Sequence, residues 1–88
     1  MPAQPVIIVN RRGLHARASA KFVTMASDLP ATIHVEKDGN SVVGTSIMGL
    51  MMLGAALGDT IVIRTDGDDA DAALAQLVRL VEERFGEE

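Results

Sequence analysis

The sequence predicts an α+β fold, an open-faced β-sandwich in which amphipathic helices cover one face of a four-stranded sheet. Three observations carry this. Short β-branched runs alternate with period two. Longer segments repeat apolar residues at i, i+4, i+7. The two kinds of segment succeed one another as strand, helix, strand, strand, helix, strand, helix (βαββαβα). A ferredoxin-like plait shares that order, and pattern alone leaves both architectures open. With 88 residues the chain has room for a single domain, residues 1–88, with a core over about 5–85.

Each element has its own signal. Val6-Ile-Ile-Val9 is β-branched and reads as a strand buried on at least one face. Asn10 to Gly13 reads as a loop. A helical period starts at Ala16: Phe22, Ala26 and Leu29 form one stripe, while Arg17, Lys21, Thr24 and Asp28 form the polar one. Pro30 ends this helix, since proline cannot continue the hydrogen-bond ladder. Thr32 to Lys37 alternates as a strand, Asp38-Gly39 makes a hairpin turn, and Ser41 to Val43 returns. Thr45 or Ser46 can cap a short helix running to Leu53, with Gly54 as its stop. Gly58-Asp59 turns the chain into a strand over Thr60–Thr65. Asp69, last residue of the loop from Asp66, is placed to cap a final helix, and Asp71 adds negative charge near its positive end. Ala70, Ala73, Leu74, Leu77, Val81 and Phe85 form that helix's apolar stripe, and Glu82 to Glu88 reads as mostly a solvated tail.

Composition excludes several classes of function. There is no cysteine, which removes disulfides, thiolate metal sites and cysteine nucleophiles together. Twelve acids against eight Lys and Arg give a net charge of −4, unlike the basic excess of a general nucleic-acid binder. The longest apolar stretch, Ile47 to Leu57, is interrupted by Gly49 and Gly54 and falls short of the roughly 18 residues that span a bilayer. The N-terminal Met1-Pro-Ala-Gln-Pro5 lacks the basic start and apolar centre of a signal peptide, so a cytoplasmic location is expected. The net charge also hides an asymmetry. Residues 1–27 hold Arg11, Arg12, Arg17 and Lys21 and no acid, a balance of +4; residues 28–88 hold the other four bases and all twelve acids, a balance of −8. Such a cluster is either a solvated basic face or a site for an anion or an acidic partner.

His15 lies inside the basic window, in Gly13-Leu-His-Ala-Arg17, at or next to the predicted N-cap of the first helix. Free backbone N–H groups and the positive helix end favour an anion there. A neutral imidazole keeps a nitrogen lone pair that can attack a phosphoryl group. The new phosphate would then meet backbone N–H groups and the Arg17 guanidinium. A histidine that only caps the helix fits the same pattern. His34, the other histidine, sits in a strand with no acid-rich ligand cluster beside it, so no metal and no cofactor are expected.

In the short helix, Ile47, Leu50 and Leu53 fall on one face, Met52 is expected to join the core, and Met48 and Met51 are expected to be partly exposed. Flexible, polarizable methionines suit a surface that serves several partners. Ser46 is either a helix cap worth about 1 kcal/mol and nothing more, or a cap that also accepts a phosphate.

Asn10-Arg-Arg-Gly-Leu-His-Ala-Arg17 resembles the active-site segment of the histidine-containing phosphocarrier (HPr) family of the phosphoenolpyruvate-dependent phosphotransferase system. Gly44-Thr-Ser-Ile-Met-Gly-Leu-Met-Met-Leu53 resembles the same family's regulatory-serine region. Two matching motifs about thirty residues apart, with matching length and element order, make the resemblance specific across Pro5 to Phe85. It implies four antiparallel strands covered by three helices. His15 would take a phosphoryl group on Nδ1 from phosphorylated enzyme I and pass it to an enzyme IIA domain. Arg17 would steady the phosphate, together with the helix start at Ala16. Ser46 would be the target of HPr kinase/phosphorylase in lineages that have it. The partner-binding surface would combine Arg12, Ala20 and Thr24 with Ile47, Met48, Gly49, Met51 and Met52. In one respect the chain departs from many members, which have proline after the active-site arginine where this chain has Ala18. Alanine restores one N–H and leaves the helix start less rigid. Gly13 to Ser19 looks most like the regulatory, nitrogen-related branch and the proteobacterial versions.

The expected function is therefore that of a cytoplasmic, monomeric phosphocarrier, a relay component consumed stoichiometrically rather than an enzyme. No P-loop is present, so the donor is another protein. Two rivals stand beside it. A regulatory docking module would use phosphorylation of Ser46 or His15 as its switch. A ferredoxin-like small-ligand domain would need a set of convergent polar groups that the sequence does not offer.

Overall fold

A computed structural model describes residues 2–87. Met1, the first residue of the stretch tested for a signal peptide, and Glu88, the last of the expected tail, lie outside the described residues. The order of elements is β1 (Ala3–Ile7), α1 (Ala16–Ser27), β2 (Thr32–Lys37), β3 (Asn40–Val43), α2 (Ile47–Met52), β4 (Thr60–Asp66) and α3 (Ala70–Glu82), followed by a short 3₁₀ turn at Arg84–Gly86. The strands form one antiparallel sheet in the order β1-β4-β2-β3. β4, rather than β3, is inserted between β1 and β2, and this decides against the ferredoxin-like plait.

Alternation along the strands sorts the two faces. Val6, Ile8, Ile33, Val35, Ile61 and Ile63 point under the helices and are buried. The register joins Val6 to Ile61 and Val35 to Ile63, so the inward residues line up across three strands. The other face stays open, with Ile7 exposed and an Arg64–Glu36 ion pair of 3.0 Å across β4 and β2. His34, half-buried, lies on this face opposite Arg64, as a strand residue with no chemistry would.

The first strand differs from its expected bounds. It runs over Ala3–Ile7 rather than Val6–Val9, because Pro5 does not stop it. Thr65 N–H donates to Pro2 O and Ile8 N–H donates to Asp59 O, so the even-numbered residues of β1 carry the ladder. The missing N–H of Pro5 therefore faces the free edge, where it costs no bond. The Asp38-Gly39 turn is as expected, with φ of 51° and 83°, both positive as a type I′ hairpin requires.

α1 lies between α2 and α3 on the covered face, and Phe22 and Phe85 are both fully buried where helices meet sheet. Phe85 does not extend the α3 stripe in helical register. α3 ends at Glu82, and Arg84, Phe85 and Gly86 have φ of 59°, 55° and 77°. Left-handed backbone costs non-glycine residues about 1–3 kcal/mol each. Here the turn drops the Phe85 ring into the core, and Lys21 Nζ donates to Phe85 O at 2.7 Å. Phe85 thus anchors the segment, while Glu82, Glu83, Arg84 and Gly86 stay exposed as expected. Asp69 stands at the α3 N-cap, but at φ 54° its side chain makes no capping bond, contrary to expectation.

Candidate functional site

His15 is the N-cap residue of α1, in extended backbone, and its carbonyl accepts the Ser19 N–H at 2.9 Å. Its side chain caps as well: Nδ1 accepts the Arg17 N–H at 3.3 Å. An accepting Nδ1 carries a lone pair, so the ring proton belongs to Nε2. Nε2–H in turn donates to Oε2 of Glu87, 72 residues away in sequence. The second carboxylate oxygen, Oε1, accepts from Asn10 Nδ2 at 3.1 Å, and the same Nδ2 donates to Gly13 O at 2.8 Å. Asn10 is fully buried and ties the His15 loop to the C-terminal turn.

Burial works against the Glu87 carboxylate. The hydrogen bonds from Asn10 and His15, with the positive charge of Lys21, outweigh it and hold the carboxyl below its ordinary value of 4.5. Nothing in the local sequence announces Glu87. The segment 1–27 contains no acid, and this one reaches it from the far end of the chain through the left-handed turn.

Arg11, Arg12, His15, Arg17 and Glu87 line an open cleft of about 440 Å³, large enough for a phosphate group and accessible to a partner. Arg11, Arg12, Ala16 and Arg17 are exposed, while His15 is half-buried. Ala16 begins α1, so its N–H and that of Arg17 belong to the helix start. Ala20 and Thr24 line a neighbouring groove with Arg17, on the side of α1 that faces Gln76 and Leu80 of α3.

Gly13 explains how the loop is held. Its φ is +65°, and a Cβ there would lie 2.3 Å from Ala55 O. Leu14 N–H donates to that same carbonyl at 2.9 Å. The segment leaving α2 is therefore stitched to the loop that carries His15, which brings the C-terminal end of α2 beside it.

Ser46, not Thr45, caps α2: its Oγ accepts the Gly49 N–H at 3.0 Å. Gly49 is closely packed, since a Cβ would meet Ser46 Oγ and Val42 Cβ at 3.1 Å each. Met48 and Met51 are exposed as expected, at 71% and 43%. Two expectations fail here. Met52 is 80% exposed rather than part of the core, and Ile47 is 40% exposed rather than filling an inward face. A helix of six residues rests on α1 and β3 through one narrow stripe, which Leu50 and Leu53 already fill.

Among the described residues no cluster of His, Asp or Glu could hold a metal ion, and no helix is long and apolar enough to cross a membrane. The family model described as the PTS HPr component phosphorylation site matches residues 3–83. The chain belongs to the HPr phosphocarrier family. It is 46% identical over 88 residues to the phosphocarrier protein HPr of Pseudomonas aeruginosa, covering 99% of this chain and 98% of the relative. It is 40% identical over 82 residues to the phosphocarrier protein NPr of Shewanella violacea, covering 93% and 90%. The crystal structure of HPr-C-His from Thermoanaerobacter tengcongensis superposes with a TM-score of 0.95 at 44% identity, covering 100% of this chain and 99% of that one. Members of this family are phosphocarriers of the phosphotransferase system: they hold a phosphoryl group in transit and are not enzymes.

Proposed function

We propose that His15 is the phosphoryl acceptor of this chain, taking the group on Nδ1 from phosphorylated enzyme I and passing it to an enzyme IIA domain. The observation that carries this reading is the state of Nδ1. It holds a lone pair and faces the start of α1, and the ring lines a cleft with three arginines. On transfer the lone pair forms the N–P bond, and the phosphate oxygens take over the Arg17 N–H. Arg17 then holds the phosphate with its guanidinium, the pairing that suits its planar fork. The carrier would act as a cytoplasmic monomer, a single domain over residues 1–88.

Partners would dock over Arg12, Ala20 and Thr24 together with the exposed Ile47, Met48, Met51 and Met52, with Gly49 letting α2 pack closely beneath them. A phosphate on Ser46 would enter at the opposite end of α2 from the His15 loop. At about 1.5 Å per residue, the six residues of α2 span roughly 9 Å between Ser46 and the end that meets that loop. Its charge would act on docking rather than on the imidazole, and HPr kinase/phosphorylase would be its source. That Ser46 caps a helix with an exposed apolar surface also favours the second reading, a docking module switched by phosphorylation.

The test is incubation with enzyme I and phosphoenolpyruvate. Acid-labile phosphate should accumulate on His15, and none on a His15→Ala variant. Full labelling of that variant would sink the assignment.

A further inference from the structure

Glu87 stands out because, among the described residues, it is the one carboxylate in a cleft otherwise lined by Arg11, Arg12 and Arg17 around His15. A stray acid there would only repel a phosphate. Its placement argues otherwise. It holds Nε2, whereas Nδ1, on the other side of Cε1, faces the helix start. It is also built in. Asn10 Nδ2 fixes Oε1, Phe85 is fully buried two residues before, and Lys21 Nζ fastens the Phe85 carbonyl. The backbone accepts left-handed geometry at Arg84 and Phe85, two non-glycine residues, to bring the acid round. Backbone outliers of this kind persist where the surrounding structure demands them.

We propose that Glu87 is a positioning residue for phosphoryl transfer, holding the His15 ring with Nδ1 toward the start of α1 and balancing the charge the ring gains when it takes the phosphoryl group. The proposal rests on the reading of His15 as acceptor. In the forward step the Nδ1 lone pair forms the N–P bond. The bond from phosphorus to the donor breaks, and its electron pair leaves with the donor. The proton stays on Nε2, so the ring becomes a phosphoimidazolium cation hydrogen-bonded to the Glu87 carboxylate. In the onward step the N–P electrons return to Nδ1, and the ring is neutral again with its proton still on Nε2. A carboxylate on the far nitrogen of a reacting imidazole selects its tautomer and stabilises its cation. Here the same arrangement serves a nucleophilic ring rather than a general base.

Two full-chain variants test this, with enzyme I and phosphoenolpyruvate as donor and with ¹⁵N NMR of the ring nitrogens. Glu87→Ala should lower kcat for His15 phosphorylation about tenfold, the scale of losses when a ligand's orienting partner is removed. The KM of enzyme I for this chain should stay nearly unchanged. The ring should change from a single Nε2–H form to a mixture of tautomers. Glu87→Gln keeps a neutral acceptor, so it should restore the tautomer but only part of the rate. An unchanged rate in Glu87→Ala, a faster one, or a change in KM alone overturns the positioning role. A wild-type chain that takes no label on His15 overturns the acceptor assignment and this proposal together, which separates the two failures.

Discussion

His15 and Ser46 stand at the same place in their helices. Each is the N-cap residue in extended backbone, and each takes a backbone N–H on its side chain, from Arg17 at 3.3 Å and from Gly49 at 3.0 Å. Their surroundings differ. His15 has three arginines in its cleft and a carboxylate on its second nitrogen. Ser46 sits against Gly49 at the foot of an exposed apolar surface made by Ile47, Met48, Met51 and Met52. The start of α3 supplies the control: Asp69 makes no capping bond, yet that helix runs thirteen residues on its buried stripe. A cap is therefore helpful rather than necessary in this fold. What would make one cap a reactive centre, as we propose for His15, is the set of charged groups that other elements bring to it.

Several measurements would break or sharpen that contrast. The largest effect is expected from Arg17→Ala. Hydrogen bonds to charged groups contribute about 1.5–3 kcal/mol, so transfer through His15 should slow roughly 10- to 100-fold with thermal stability unchanged. Unchanged rates would mean that the backbone N–H groups suffice and that the arginines do not distinguish His15 from Ser46.

Gly13→Ala comes next and acts on stability. A Cβ at 2.3 Å from Ala55 O, on backbone at φ +65°, must push the loop off the end of α2. A loss of about 2–3 kcal/mol is expected from such strain, read as a fall in the denaturation midpoint. A wild-type midpoint would show that the two regions are not coupled through this contact.

Ser46→Ala should cost about 1 kcal/mol, the ordinary value of a serine cap, and leave the kcat of His15 labelling as it was. A matching loss of kcat would mean that the two caps are not independent.

The smallest effect concerns pH. The Glu87 carboxyl lies below 4.5 in the folded chain. A lowered carboxyl stabilises the fold above its unfolded value and loses that contribution as pH falls through the folded one. The Glu87 midpoint, followed by carboxyl ¹³C NMR, should therefore sit below 4.5 and rise in His15→Ala, which removes one hydrogen bond. The same midpoint in both proteins would mean that Asn10 and Lys21 hold the acid without His15.

The legible parts of the molecule were those governed by short-range rules. Alternation gave β2 and β4 to within a residue, Asp38-Gly39 gave the hairpin, and the period of Phe22 and Ala26 gave the buried stripe of α1. His15 and Ser46 were both readable as caps, since capping depends on residues within three positions. Exposure in α2 was misread at Met52 and Ile47. A six-residue helix has too few turns for its period to say how wide its contact is, and that width depends on how it lies on α1 and β3. The β-branched run Val6 to Val9 marks only the end of the first strand, whose start at Ala3 depends on the edge position that tolerates Pro5.

What the sequence alone determined about this protein is the alternation of its elements, the basic window around one histidine, and the two capped helix starts. Each follows from backbone sterics and local hydrogen bonding. Tertiary structure alone decided the insertion of β4 between β1 and β2, the docking of Ala55 on the His15 loop, and the arrival of Glu87 at Nε2. The physical reason is that these contacts join residues far apart in the chain. The last also passes through left-handed backbone at Arg84 and Phe85, a conformation their own propensities oppose and which the burial of the Phe85 ring and the Lys21 hydrogen bond hold in place.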